Sequence, residues 1–227
     1  MAEIHVRFHR ENPDRHLVGA GSLLVPPAYR TRFVDWLERT GELFGVPFTH
    51  DMTSVPENFF YIAHCSVKRD FLFEAGLFDE NFPEHAWDDF ELSCRLIALG
   101  MKSVYLGIAA EHDHYITMRE RCTTMLEAGE GAAVYDRKYG GDQPWHDKCR
   151  RPPGRLRMDA LRSLLRYARS RSEDDLISYY RARLDAAFVA GYRRAKGPAL
   201  RPAAAPNAAS CAQNPSSATT APVLHRD

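Results

Sequence analysis

The chain has 227 residues, with 30 lysines and arginines against 30 aspartates and glutamates, so its formal net charge is zero. That length suits one domain with appendages, and no apolar run approaches the roughly 20 residues needed to span a bilayer. There is no apolar leader at the N-terminus, and the five scattered cysteines lack a Cys-x-x-Cys pair, which argues against secretion, a disulfide framework or a zinc ribbon and for a reducing cytoplasm. In chain order, "IHVRF" (4–8) alternates apolar and polar residues as a strand does. "ENPDR" is turn chemistry, and "AGSLLVPP" reads as a second short strand stopped by Pro26 and Pro27. Residues 28–44 set Phe33, Trp36, Leu37 and Phe44 at roughly helical spacing, with Gly41, Gly45 and Pro47 as the stop.

"FFYIAHCSVKR" (59–69) predicts an aromatic strand running into a polar turn, and "RDFLFEAG" a short helix ending at Gly76. The next helix is well specified. Asp88, Asp89 and Glu91 occupy its first turn, where acids complement the helix dipole, and Leu92, Leu96 and Leu99 recur along one face before Gly100. "KSVYLGIAA" is a strand that ends in the cluster "EHDHY", and residues 117–138 are helical again.

Beyond residue 147 the composition changes. Residues 155–170 predict a basic amphipathic helix with Leu161, Leu164, Leu165 and Ala168 on one side and Arg162, Arg166 and Arg169 on the other. Ser172 and Asp175 have capping-box spacing ahead of a helix over about 173–195. From Gly197 the chain is Ala-, Pro-, Ser-, Asn- and Thr-rich without periodicity, a composition expected to stay disordered. Residues 1–147 carry 14 basic and 24 acidic side chains, whereas residues 148–201 carry 15 and 5. Charge segregated this way calls for a partner: a nucleic acid, an anionic membrane surface, or the acidic part of the same molecule. No nucleic-acid motif is present, and the charged face of the basic stretch lacks interleaved aromatics, so nucleic acid is not expected.

Four short segments recur in a familiar order: "HCSVKR" (64–69), "GLFDENF" (76–82), "WDDFELSCRL" (87–96), and a histidine after the following strand. This series resembles the C-terminal half of the catalytic domain of family 2 glycosyltransferases, of the galactosyltransferase type, over about residues 1–140. The chain departs from the pattern in carrying Asp88 where Glu is general, and His64-Cys65-Ser66 where Asn-x-Ser is usual. The resemblance implies a partial GT-A fold, an α/β mixed sheet with flanking helices, over residues 1–147. A basic helical extension (148–196) and a disordered tail (197–227) follow it.

The resemblance further implies transfer of a sugar from a nucleotide-sugar donor to a glycan or other hydroxyl acceptor, with inversion. Asp89 falls on the general base and Asp88 beside it as an orienting acid. Trp87 is either a wall for a sugar ring or a core side chain, and Ser66, Arg69 and Glu91 fall on substrate-binding positions, although Glu91 and Arg95, four apart, also suit an ion pair. His112, with His114 as alternative, matches a ligand for Mn²⁺ or Mg²⁺ at the leaving diphosphate. No Asp-x-Asp precedes "IHVRF", so the nucleotide-binding half is expected either upstream or from a second chain completing the domain, and the sheet is expected to keep a poorly covered edge. The competing expectations are an inert sugar-binding or scaffolding remnant, and a peripheral protein held at the inner membrane face by its basic helices.

Overall fold

The computed structural model describes residues 1–44, 54–56, 59–82 and 87–196; the expected tail, and the stop at Gly45 and Pro47, lie outside them. The described residues form eight α-helices and a three-stranded mixed sheet, an α/β architecture as the sequence predicts. None of the helices is long and apolar enough to cross a membrane.

The first element departs from expectation. Residues Ala2–Glu11 form a helix, α1, rather than a strand. The alternation in "IHVRF" also satisfies a helical reading, because Ile4 and Phe8, and His5 and His9, each recur four residues apart. The helix buries Phe8, and Asn12-Pro13 ends it.

Strand β1 (Leu17–Leu24) lies at the centre of the sheet and is covered on both faces. Helix α2 (Arg32–Thr40) follows; the hydroxyl of Thr31 caps it by accepting from the Val34 N–H at 3.2 Å, so the expected helix over 28–44 begins later than predicted. The aromatic run 59–69 yields only a two-residue strand, β2 (Cys65–Ser66), antiparallel to β1 through Gly19↔Ser66 and Ala20↔Cys65. Pairing stops there because the chain turns at Ile62–His64. The His64 ring lies flat over Gly21, where a Cβ would sit 2.2 Å from it, and Nδ1 donates to the Ser22 carbonyl at 2.8 Å.

Helices α3 (Arg69–Glu74) and α4 (Asp88–Ala98) precede β3 (Lys102–Glu111), which runs parallel to β1. The register shifts between Ala20 and Ser22, opposite Gly107 at φ 65°, where a residue without a Cβ relieves the bulge. β3 is an edge strand whose residues alternate between exposed and half-buried, Val104 among the exposed.

Helix α5 (Met118–Tyr139) opens on a full capping box of Thr117 and Glu120. A short helix, α6 (His146–Arg150), which the sequence reading did not contain, leads to α7 (Pro153–Ser170) and α8 (Glu173–Ala195). Helices α5 and α8 approach at the backbone: a Cβ on Gly129 would lie 2.0 Å from the Phe188 carbonyl oxygen, and one on Gly191 1.8 Å from that of Leu126. Tyr180 and Leu184 of α8 enter the core around β1 and α2, while Ala186, Phe188, Val189 and Tyr192 enter that around α5 and α6. The basic segment is thus built into the same cores as the acidic one. Cys65, Cys122 and Cys149 are free thiols.

Candidate active site

Helix α4 carries the acids, and the residue before it sets their position. Trp87 takes the left-handed conformation, φ 75° and ψ −11°, which is strained for a bulky side chain. The strain is held by packing: its indole N–H donates to the Ala128 carbonyl at 2.6 Å, and its ring meets Phe90, Tyr135 and Trp145 at 4.7–5.6 Å between centroids. Trp87 is therefore a core side chain that orients the start of α4, the second of the two roles its sequence context allowed.

Asp88 and Asp89 are both half-buried. Burial pushes the Asp89 carboxyl up to about 6, and the neighbouring Asp88 adds to the rise. The Phe90 N–H, which Asp89 Oδ1 accepts at 2.7 Å, and the Asp89 N–H work the other way without offsetting it. The helix terminus thus fails to keep this acid in its ordinary range, because loss of hydration outweighs the backbone donors.

Three residues that motif reading did not single out share its surroundings. The Tyr61 hydroxyl is pushed up by burial and then by the Asp89 charge, with Arg121 acting against them. The Cys65 thiol is pushed up to about 12 by burial, with Asp89 adding and the Tyr61 N–H, which donates to Sγ at 3.4 Å, opposing. Burial lowers Arg121, its Nη2 donates to the Glu42 carbonyl, and its Nε is buried without a hydrogen-bond partner. No ion pair joins Arg121 to a carboxylate among the described residues. It is a desolvated cation with donor capacity to spare, linked to Asp89 only through Tyr61, which both charges act on.

His112 stands behind this group. Its ring meets Phe44 edge-on at 5.4 Å, and Phe44 meets Tyr61 at 6.0 Å. Burial and the nearby His114 lower it, and its Nδ1 is buried without a partner. His114 is exposed, with its ring 5.8 Å from that of His112, and Asp113 raises the Tyr29 hydroxyl. Among the described residues no group of three or more His, Cys, Asp or Glu side chains could hold a metal ion. A single imidazole with one exposed neighbour does not make up the donor set a divalent cation needs, so among the described residues His112 and His114 do not by themselves fit Mn²⁺ or Mg²⁺.

Three expected substrate-binding residues lie elsewhere. Successive strand residues face opposite sides of a sheet, and in β2 it is Cys65 that senses Asp89. Ser66 turns instead to α1, where its Oγ is 2.7 Å from His5 Nδ1 and 3.0 Å from His9 Nε2. Arg69 is exposed, with its guanidinium 5.1 Å from the Phe73 ring centre.

Glu91 is fully enclosed, out of reach of any substrate. Its carboxylate accepts from Arg95 Nε and Nη2 at 2.7–3.1 Å, from Lys138 at 2.8 Å, and from the Tyr139 hydroxyl. Arg95 also donates to the carbonyls of Ala75 and Leu77, and Lys138 to Asp79 at 2.5 Å. Burial alone would raise both acids, but Lys138 and the Asn81 donors hold Asp79 down at about 2, and Arg95 with Lys138 keeps Glu91 low. The "GLFDENF" and "ELSCR" segments thus form one buried polar node that ties the turn after α3 to α4 and α5.

A surface groove between α2 and α8, lined by Arg32, Asp35, Arg39, Arg171, Glu173 and Tyr180 among others, shares no residue with the Asp89 group. Comparison with known proteins adds nothing to this geometry: no protein family, curated protein or solved structure matches the chain.

Proposed function

We propose that this protein is a glycosyltransferase that moves a sugar from a nucleotide-sugar donor to a hydroxyl acceptor, with Asp89 as its general base. The observation that supports the reading best is the state of Asp89, a carboxylate fixed at a helix start and raised by its surroundings to titrate about 6. A base is most effective when its pKa lies close to the working pH, provided that it is ionised there. At neutral pH Asp89 is ionised, and it is more basic than an ordinary aspartate.

The acceptor oxygen bonds to the anomeric carbon as the carbon–oxygen bond to the nucleoside diphosphate breaks. The bonding pair leaves on the phosphate oxygen, and the acceptor proton passes to Asp89. Asp88 keeps Asp89 basic through like charge. No step is assigned to a metal. Incubating the full-length protein with a set of labelled nucleotide sugars and hydroxyl acceptors tests the reading. Wild type is expected to transfer sugar and Asp89→Asn to lose about 10²–10⁴-fold; a protein that transfers none, or a variant as active as wild type, overturns it.

A further inference from the structure

Helix α7 is amphipathic in an unusual sense, since its apolar residues lie on two opposite faces. It buries Leu156, Ala160 and Ser163 on the inner side, where it packs along α8. Met158, Leu161 and Leu165, at spacings of three and four, point outward and are 49%, 47% and 53% exposed. At 100° per residue, Arg155, Arg162 and Arg169 fall in one row along a margin of this stripe and Arg157 along the other.

The acidic part of the molecule does not take up this charge. Of the basic residues after 147, Arg150 pairs with Asp147 and Arg194 with Glu130, and the other ion pairs of the segment use its own acids, among the described residues. Arg162 has only an exposed contact with Asp159 at 3.3 Å, and Arg155, Arg157 and Arg169 have no ion pair among the described residues. Asp159, the one carboxylate on the helix, sits on its inner flank, drawn to Arg151 and Arg162, and Asp175 of α8 is drawn to Arg166.

We propose that the outward face of α7 seats on an anionic lipid bilayer. An apolar stripe bordered by free arginines matches the headgroup boundary: Met158, Leu161 and Leu165 enter the acyl region while the guanidinium groups stay at the level of the phosphates. A second copy fits poorly, because two such faces would oppose rows of arginine with no carboxylate between them. A nucleic acid would use the arginines and leave the apolar stripe in water.

Flotation of the full-length protein with vesicles of phosphatidylcholine, with and without about a third phosphatidylglycerol, tests this. Binding is expected to the anionic vesicles at about 50 mM salt, and to fall sharply at about 500 mM as screening grows. Leu161→Asp with Leu165→Asp is expected to weaken it at least about tenfold, and Arg155→Gln with Arg162→Gln and Arg169→Gln to remove the preference for anionic lipid. All these positions are exposed, and an unchanged melting temperature confirms that each variant is folded. Absence of binding to anionic vesicles at low salt overturns the proposal. So does undiminished binding by the folded leucine variant, which would mark a purely ionic site open to nucleic acid. A dimer that Leu161→Asp dissolves, without any lipid binding, would assign the face to a second copy and equally overturn it.

Discussion

Replacing Asp89 by asparagine should make the protein more stable at neutral pH. The folded chain holds this carboxyl at about 6, against 3.8 in its ordinary state. Ionising it in the folded protein is correspondingly costly, by about 3 kcal/mol at 1.36 kcal/mol per pH unit, and by about 1–3 kcal/mol once partial exposure to solvent is allowed for. The sign follows from the raised value. Between 3.8 and about 6 the folded state binds more protons than the unfolded one, so stability falls as pH rises through that window and the deficit is constant above it. Asparagine has nearly the same shape, can accept the Phe90 N–H that Oδ1 now accepts, and carries no charge beside Asp88. Urea unfolding of wild type and Asp89→Asn across the acid-to-neutral range measures the difference directly. The expected gain is about 1–3 kcal/mol above pH 7, shrinking towards zero below about pH 4. A variant no more stable than wild type at neutral pH, or a gain that persists unchanged into acid, would refute the assignment of burial and Asp88 as the causes.

Other perturbations probe the frame that holds this acid. Glu91→Gln removes the charge that Arg95 and Lys138 share inside the protein, and should cost about 3–5 kcal/mol in denaturant unfolding, because it leaves two cations without their common acceptor. Gly191→Ala puts a methyl 1.8 Å from the Leu126 carbonyl oxygen; α8 must move away from α5, and calorimetry should show a loss of at least about 1–3 kcal/mol or no cooperative melt. Burial lowers His5 first, with His64 and His9 adding to it, and burial also lowers His9. The stability they confer is therefore complete above their ordinary value of 6.5 and is lost as pH falls through 6.5 towards the lower folded values. Hydrogen exchange of the α1 amides, corrected for intrinsic rates, should reveal lost protection on that acid side ahead of the helices α5 and α8.

What the sequence made legible were the elements with a long unambiguous period. Leu92 and Leu96 are both fully buried, as the helix spacing requires, whereas Leu99, the third of that expected row, caps α4 and is exposed; β3, α5 and α8 lie close to where the pattern puts them. Short runs misled for a physical reason. Five residues of "IHVRF" fit a period of 2 or of 3.6 equally, and packing of Phe8 decides for the helix. Capping chemistry was legible in one place and misleading in another. Thr117-x-x-Glu120, whose spacing the reading of 117–138 did not use, forms a full box, whereas Asp175, which has the same spacing from Ser172, is taken by Arg166 and Ser170.

The acids of the candidate site could be found because they are adjacent. Their surroundings could not, because Tyr61 and Cys65 come from the segment 59–69 and Arg121 from α5, and nothing in the local sequence ties either to the start of α4. Ser66 was legible as special but not as structural, because strand alternation turns it to α1, whereas the four-residue spacing of Glu91 from Arg95 announced the ion pair that the enclosed polar node contains. Gly129 and Gly191, inside long helices, were the available signal for the α5–α8 contact, since glycine there is costly unless a close approach requires it.

The measurement that bears most directly on Asp89 as the base is the pH profile of kcat/KM for sugar transfer by full-length wild type and Asp89→Asn. Wild-type transfer should rise with pH through an apparent pKa of about 6, where Asp89 loses its proton, and level off above it. The variant should fall about 10²–10⁴-fold on the plateau and lose that limb, while melting no lower than wild type. An identical limb and plateau in the folded variant would contradict the account, leaving Asp89 an aspartate at the start of a helix with no part in the chemistry.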